Sequence, residues 1–312
     1  MVSAGMNKKN IRILLLGAAG QVGAECDKLF RQAGCLVTAI TRKEVDFSDI
    51  EFSGVNVCDN QLENILCLAS HDVVVNAMAY TAVDKAEVEP ELADKINHLS
   101  VKVLAQCCAK YDIPLVHIST DYVFNGNADK PYTETSKVNP LGVYGKTKWL
   151  GEQAIVLHSP KHIILRTSWV FGLHGGNFVK TILRLASERD ELTIVSDQRG
   201  CPTYAADIAS VILRIIQKYS EGESVDWGIY NCVGEGELSW YEFAQAIIEQ
   251  AYDNKYLKTC PRVVPVPTVA YPTPAARPAY SVLNTNKLAV LLGEKVAMGS
   301  ANSAAAPIKP PE

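Results

Sequence analysis

No run of this 312-residue sequence approaches 18 consecutive apolar residues, so it offers no candidate membrane-spanning helix. There is no excess of one charge either. Thirty Lys and Arg stand against 34 Asp and Glu, giving a net charge of −4 and a pI near 5.9. That balance lacks the basic footprint of a nucleic-acid binder. The nine cysteines are scattered and form no Cys-x-x-Cys, which leaves neither a disulfide framework nor a zinc-type spacing. Cys35, Cys67, Cys107 and Cys108 sit in apolar stretches and read as small core residues of a reducing compartment. Met1 to Asn10 has no apolar centre and does not read as a signal peptide. Flexible ends are expected over 1–10 and 299–312, the latter rich in Ala, Ser and Pro. No internal repeat is visible. The expectation is a cytoplasmic protein with a large core, built as one domain or two joined lobes.

What is present first is an α/β pattern. Residues 11–16, 36–40, 72–77, 115–120 and 162–167 read as strands. Between them lie helical spacings: Val22, Cys26, Leu29 and Phe30 mark one helix, and Glu89 to Lys110 another. This alternation predicts a Rossmann-type doubly wound parallel sheet over 11–170. A smaller C-terminal lobe is expected over 171–292, interleaved with the first. Its helices are placed at 177–187, 207–219 and 240–252, and the proline-rich 261–280 reads as largely extended loop.

Directly after the first strand comes Gly17-Ala18-Ala19-Gly20-Gln21-Val22-Gly23. Glycines at this spacing permit a sharp strand-to-helix turn, close approach of a phosphate, and tight helix–strand packing. The helix that follows points free N–H groups and its positive dipole end at an anion. After the second strand stands Thr41-Arg42-Lys43, where an NAD-type site usually has a carboxylate for the ribose hydroxyls. A guanidinium there fits a 2′-phosphate. NADPH is therefore favoured over NADH, which stays open.

In such a sheet the ligand lies beyond the carboxyl ends of the strands. The small residues Ala77-Met78-Ala79, followed by Tyr80, would let a cofactor lie against backbone. Thr120 would direct a hydroxyl into the same crevice. Tyr144 and Lys148 share one helical face at i, i+4. Composition alone predicts about one Tyr-x-x-x-Lys in this chain, so the pair gains meaning only from Thr120 and the glycine turn. Together they suit ketone reduction, which needs hydride at carbon and a proton at oxygen. A nearby ammonium would lower the phenol's pKa, Thr120 would hydrogen-bond the carbonyl oxygen, and Lys148 would hold the nicotinamide ribose.

These stretches resemble the extended short-chain dehydrogenase/reductases and, among them, the dTDP-4-dehydrorhamnose reductase family. The resemblance also rests on Asn76 to Glu87 (NAMAYTAVDKAE), Ser119 to Phe124 (STDYVF), Arg166 to Val170, Asn177-Phe178, Asp197 to Thr203 and Tyr271 to Pro278. It implies NADPH- or NADH-dependent reduction of the C4 ketone of a dTDP-linked sugar. It assigns Tyr144 as proton donor, Lys148 as its electrostatic partner and Thr120 as the hydroxyl that tunes them. Asp121 and Trp169 would contact the sugar nucleotide, with Trp169 offering its flat face to the sugar. Asn177 and Arg277 would hold the nucleotide or its diphosphate. Cofactor contacts are implied for Gly17, Gly20, Gln21, Val22, Gly23, Arg42, Ala77, Met78, Ala79, Tyr80, Tyr144 and Lys148. Family members carry an aspartate of the third strand near the adenine; Asp46 and Asn56-Val57 compete for that place, and spacing to residue 72 favours Asn56 and Val57. Some relatives hold Mg²⁺ at a dimer interface. Glu25 would supply one ligand, but the family's C-terminal helix with its tryptophan is replaced after Leu291 by Gly, Ser, Ala and Pro. Metal and homodimer therefore stay open. The alternatives are another nucleotide-sugar oxidoreductase or epimerase, or a non-catalytic regulatory subunit like that of methionine adenosyltransferase.

Overall fold

The structure is a computed structural model that describes residues 10–49, 68–294 and 298–299. Asn56, Val57 and Cys67 lie outside the described residues. Five strands follow in chain order: β1 (Arg12–Leu16), β2 (Leu36–Ile40), β3 (Val73–Asn76), β4 (Leu115–Thr120) and β5 (His162–Thr167). With the strand Gly228–Asn231 they form one parallel sheet in the order Gly228–Asn231, β5, β4, β3, β1, β2. The order turns back at β1, which opens a crevice between β1 and β3 at their carboxyl ends. The sixth strand comes from the C-terminal half and pairs with β5.

Both faces of this sheet are covered, as the unbroken apolar runs require. Ile13 and Leu15 face one layer with Val22, Cys26 and Phe30 of α1 (Gln21–Gln32) and Ile208 and Ile212 of the helix Ala205–Ser220. Leu14 and Leu16 face the other, with Leu104, Cys107, Cys108 and Ile155. Cys26, Cys107 and Cys108 are buried.

The helix expected over 89–110 is interrupted. Pro90–Asp94 and Ser100–Lys110 flank a π-helical turn at Lys95–Leu99. Close packing accounts for it: the Asn97 carbonyl lies against Gly151 of the helix Val143–His158, where a Cβ would come within 2.2 Å. The smaller lobe is built on Phe178–Glu188 and Trp240–Asp253, packed through Ile182, Phe243, Ile247 and Ile248. Residues 261–280 depart from the loop expectation. Arg262–Val266 is a strand, parallel to Glu191–Val195, with Pro265 opposite Ile194. A two-stranded ladder has free edges on both sides, and there proline's missing N–H is tolerated. Among the described residues, no helix is long and apolar enough to cross a membrane.

Candidate active site

The glycine turn sits at the mouth of the crevice between β1 and β3. Gly17 has φ +78°, and a Cβ on it would meet the Ala77 carbonyl carbon at 2.7 Å. A Cβ on Gly23 would lie 2.1 Å from the Gly17 carbonyl oxygen. Backbone thus passes backbone with no room for side chains, which leaves the N-terminus of α1 free for an anion. One cleft beside the turn is lined by Gly17, Gly20, Arg42, Asp46, Ala77, Met78 and Ala79. Arg42 stands at its rim with a 73 % exposed side chain, loosely paired with Asp46 at 3.8 Å. The short Thr41 loop orients it, because Glu44 accepts hydrogen bonds from the Thr41 N–H and hydroxyl. Of the two competitors for the adenine end, Asp46 is the one among the described residues, and it is engaged by Ser48.

A second cleft of about 450 Å³ shares Gly20, Ala77 and Ala79 with the first and extends it. Gln21, Val22, Thr120, Asp121, Tyr144, Lys148 and Trp169 line it. The two ends expected to hold pyrophosphate and reacting carbon are therefore one groove. These residues fit a dinucleotide: a cradle a Cβ would fill, a helix N-terminus, and a cation at the far rim.

Tyr144 is half-buried on the first turn of the helix Val143–His158, edge-on to Tyr122 at 5.5 Å. Burial pushes its pKa up to about 12, with a hydrogen bond to Thr120 pulling the other way and Asp121 adding to the rise. The phenol keeps its proton at neutral pH, as a donor must. Thr120 donates to Asp121 Oδ1 at 3.0 Å and accepts from the Tyr122 N–H at 3.2 Å. Asp121 is buried, and burial raises it to about 6 against the pull of the Ser281 and Thr120 hydroxyls. Ser281 is near enough to bias this carboxyl, yet Asp121 Oδ2 completes no hydrogen bond; the Thr167 hydroxyl is also unsatisfied. Both residues line the cleft, leaving buried acceptors for a polar ligand.

Lys148 is buried and bonded from within the sheet. Its Nζ is drawn down to β4, where it meets His117 Nε2 at 3.1 Å and the Ile118 carbonyl at 2.6 Å. Burial lowers it to about 8, with Glu152 opposing. Burial dominates at the phenol, and Lys148 Nζ is directed at β4.

Three further candidates have partners within the fold. Tyr80 points away from the groove: its hydroxyl donates to Glu89, and its ring packs with Ala86, Ala93 and Ile96. The Asn177 amide is spent on structure. It caps the helix Phe178–Glu188 through Lys180 N–H and donates to Gln21 Oε1 and the Gly172 carbonyl. Trp169 lines the second cleft with part of its indole already in contact with the fold. Its indole stacks on Trp240 at 3.5 Å, and Gly200 is so close that a Cβ would fall 2.5 Å from the ring. Trp169 also has φ +48°, a strained left-handed backbone for a bulky residue.

Arg277 is held by Asp84 at 2.8 and 3.2 Å, half-shielded, beside Phe178, Gln198, Trp240 and Thr273 in a neighbouring cavity. Pro278 seats on Gly126, where a Cβ would come within 2.6 Å of Pro278 Cα. Glu25 is buried with one unpaired oxygen, 3.7 Å from His174 Nε2. Among the described residues, no three His, Cys, Asp or Glu side chains gather as a metal site.

Sequence reasoning missed the supports. Glu87 accepts from the Val143 N–H at 2.8 Å and so caps the helix that carries Tyr144. Gly142 makes room for that carboxylate, since a Cβ would lie 2.5 Å from Glu87 Oε1. Asn97 bonds both the N–H and the carbonyl of Tyr80 and reaches Thr147. The one sequence signal for these was the motif Thr81–Glu87 itself, whose acidic residues had no assigned partner.

Comparison with known proteins agrees with this geometry. Residues 11–298 match the family described as the RmlD substrate binding domain. A dTDP-4-dehydrorhamnose reductase of Aggregatibacter actinomycetemcomitans is 43 % identical over 285 residues, covering 90 % of this chain and 93 % of that protein. One from Escherichia coli K12 is 42 % identical over 277 residues, 89 % of this chain and 90 % of that protein. Among solved structures, the Clostridium acetobutylicum dTDP-4-dehydrorhamnose reductase superposes with a TM-score of 0.82 at 36 % identity, covering 95 % of this chain and 98 % of that one. The Bacillus anthracis enzyme, solved in complex with NADP, has a TM-score of 0.82 at 33 % identity with the same coverage. This chain belongs to the RmlD substrate binding domain family.

Proposed function

We propose that this chain reduces the C4 ketone of dTDP-4-dehydro-β-L-rhamnose to dTDP-L-rhamnose with NADPH, a step of sugar-nucleotide synthesis carried out in the cytoplasm. The observation that carries the reading is the convergence of Thr120, Asp121, Tyr144 and Lys148 in the groove that begins at the glycine turn. Relatives named for this reaction support the substrate, and the Bacillus anthracis complex with NADP supports the cofactor.

The bound cofactor supplies hydride to the carbonyl carbon. This chain's part is to hold the two partners and to deliver the proton. Tyr144 gives its phenolic proton to the carbonyl oxygen as charge develops there, and Thr120 holds that phenol in place. Asp121 offers a buried carboxylate to a sugar hydroxyl. Arg42 would meet the 2′-phosphate, and Arg277 would meet the diphosphate from its seat on Asp84.

The test is NADPH oxidation by the full chain with dTDP-4-dehydrorhamnose, compared with UDP- and GDP-linked 4-ketosugars. The dTDP sugar is expected to turn over fastest. Tyr144→Phe should lower kcat by about 10²–10⁴ while leaving NADPH affinity within a few-fold, because the ring still packs. Faster turnover of a UDP- or GDP-linked sugar would move the chain to another oxidoreductase of this fold. Unchanged activity in Tyr144→Phe would remove the assigned acid.

A further inference from the structure

Beneath the groove floor runs a buried chain of hydrogen bonds that the reduction reading leaves unused. The Met78 N–H donates to Asn76 Oδ1 at 3.0 Å. Asn76 Nδ2 faces His117 Nδ1 at 3.1 Å. His117 Nε2 faces Lys148 Nζ at 3.1 Å, and Nζ reaches the Ile118 carbonyl at 2.6 Å. Asn76 and His117 are both fully buried and are register partners across β3 and β4.

The direction of this chain is set at its first link. A backbone N–H can only donate, so the Asn76 atom it meets is the carbonyl oxygen. The amide nitrogen therefore points at His117, and it too can only donate. Nδ1 must accept, and a neutral imidazole that accepts at Nδ1 carries its hydrogen on Nε2. Burial and the adjoining Lys148 keep His117 well below its ordinary pKa, so the doubly protonated ring is disfavoured. An Nε2–H thus faces Nζ. An ammonium has three donors and no lone pair, so only the amine form of lysine completes this contact while still donating to Ile118.

We propose that Asn76 and His117 are positioning residues for Lys148, holding its Nζ against β4 as a hydrogen-bond acceptor, and hence as the neutral amine, in the cofactor-free protein. The inference rests on the reading that places Lys148 at the cofactor. It accounts for the lysine's aim away from Tyr144, and it makes the lysine's charge a variable rather than a constant of the site. The titratable and charged groups around Nζ are few. Tyr144 and Glu152 lie one turn away on its own helix, His117 is on β4, Asp121 follows β4, and Arg166 is on β5. Glu152 favours the ammonium, but that carboxylate is already engaged by Arg166 at 2.6 Å and by Ser119 at 2.5 Å.

The test uses the full chain without cofactor, labelled with ¹⁵N-histidine and ¹³C-lysine, and Asn76→Asp as the variant. In the wild type, long-range ¹H–¹⁵N correlation is expected to find His117 as the Nε2–H tautomer. The ¹³Cε signal of Lys148 should titrate below the ordinary lysine range. In Asn76→Asp the carboxylate accepts from both the Met78 N–H and the ring, so His117 should change to the Nδ1–H tautomer. The Lys148 midpoint should then rise by at least about one pH unit, tenfold in its ionisation constant. An Nδ1–H ring in the wild type, or a variant in which neither the tautomer nor the midpoint moves, would overturn the proposal. The wild-type tautomer decides the matter even if the variant does not fold. No substrate is used, so failure here is distinct from failure of the wild-type chain to reduce the ketosugar.

Discussion

Replacing Arg166 with methionine should destabilise this protein more than any change at the groove surface. Arg166 is 2 % exposed, and its partner Glu152 is fully buried. The pair is bidentate, with Nε to Oε1 at 3.0 Å and Nη2 to Oε2 at 2.6 Å. The Ser119 hydroxyl donates to Oε1 at 2.5 Å, and the guanidinium lies 5.1 Å from the Phe124 ring centre. Methionine refills most of the volume but leaves the Glu152 carboxylate buried with one hydroxyl. Breaking one side of such a pair costs about 3–5 kcal/mol, a large share of the roughly 5–15 kcal/mol that holds a typical domain folded. For a chain of this size, about 2 °C of Tm per kcal/mol gives a fall of about 6–10 °C. Removing both charges in Arg166→Met with Glu152→Leu should recover at least half of that loss. What remains is mainly the stranded Ser119 hydroxyl, worth about 1 kcal/mol. Thermal and urea unfolding of the wild type, both single variants and the double variant complete the cycle. A single variant within about 1 kcal/mol of wild type, or a double no better than the worse single, would refute the reasoning.

Three other outcomes are expected. Arg42→Ala should weaken NADPH by about 1–3 kcal/mol, roughly 5- to 150-fold, and barely affect NADH; equal effects in titrations with the two cofactors would reduce Arg42 to a surface charge. Asp121, raised from 3.8 to about 6 by burial, binds its proton more tightly in the folded state. Its contribution to stability is therefore fully present below about pH 4 and lost as pH rises to about 6, a change of about 3 kcal/mol, and Asp121→Asn should flatten that part of the stability–pH curve. Arg277→Ala should raise KM for the sugar nucleotide without changing NADPH affinity. An unchanged KM would confine Arg277 to its pairing with Asp84, and a dTDP complex with the guanidinium away from the phosphates would say the same.

The sheet and the glycine turn were legible because their signals are local. Apolar runs of strand length and three glycines at fixed spacing dictate β1, the turn and α1 without knowledge of anything distant. Tyr144 and Lys148 were legible for the same reason, as i, i+4 neighbours. What the sequence concealed depends on contacts made across the chain. Asp84 and Arg277 are 193 residues apart, and nothing near either one names the other. Asn177 has the composition of a ligand-binding residue, yet its use is a helix cap plus a bond to Gln21, 156 residues away. The strand Arg262–Val266 was hidden by Pro265, since propensity argues against a strand and only pairing with Glu191–Val195 overrides it. The aim of Lys148 could not be read from spacing at all, because it is decided by His117 on another element.

The helix Val143–His158 ties these observations together. Tyr144, Lys148 and Glu152 recur every fourth residue, so they form one stripe. Tyr144 and Thr120 line the same cleft, Lys148 meets His117 within β4, and Glu152 meets Arg166 on β5. A slide or rotation of this helix by even a fraction of a turn would disturb the Lys148 and Glu152 contacts together and shift Tyr144 with them. Glu87 at the helix N-terminus and Asn97 against Thr147 resist such movement from outside the sheet. The glycine turn, by contrast, is carried by β1 and α1, which none of these bonds reach. Cofactor phosphate binding and proton delivery thus stand on separate supports, meeting only in the groove where Ala77 and Ala79 border both clefts.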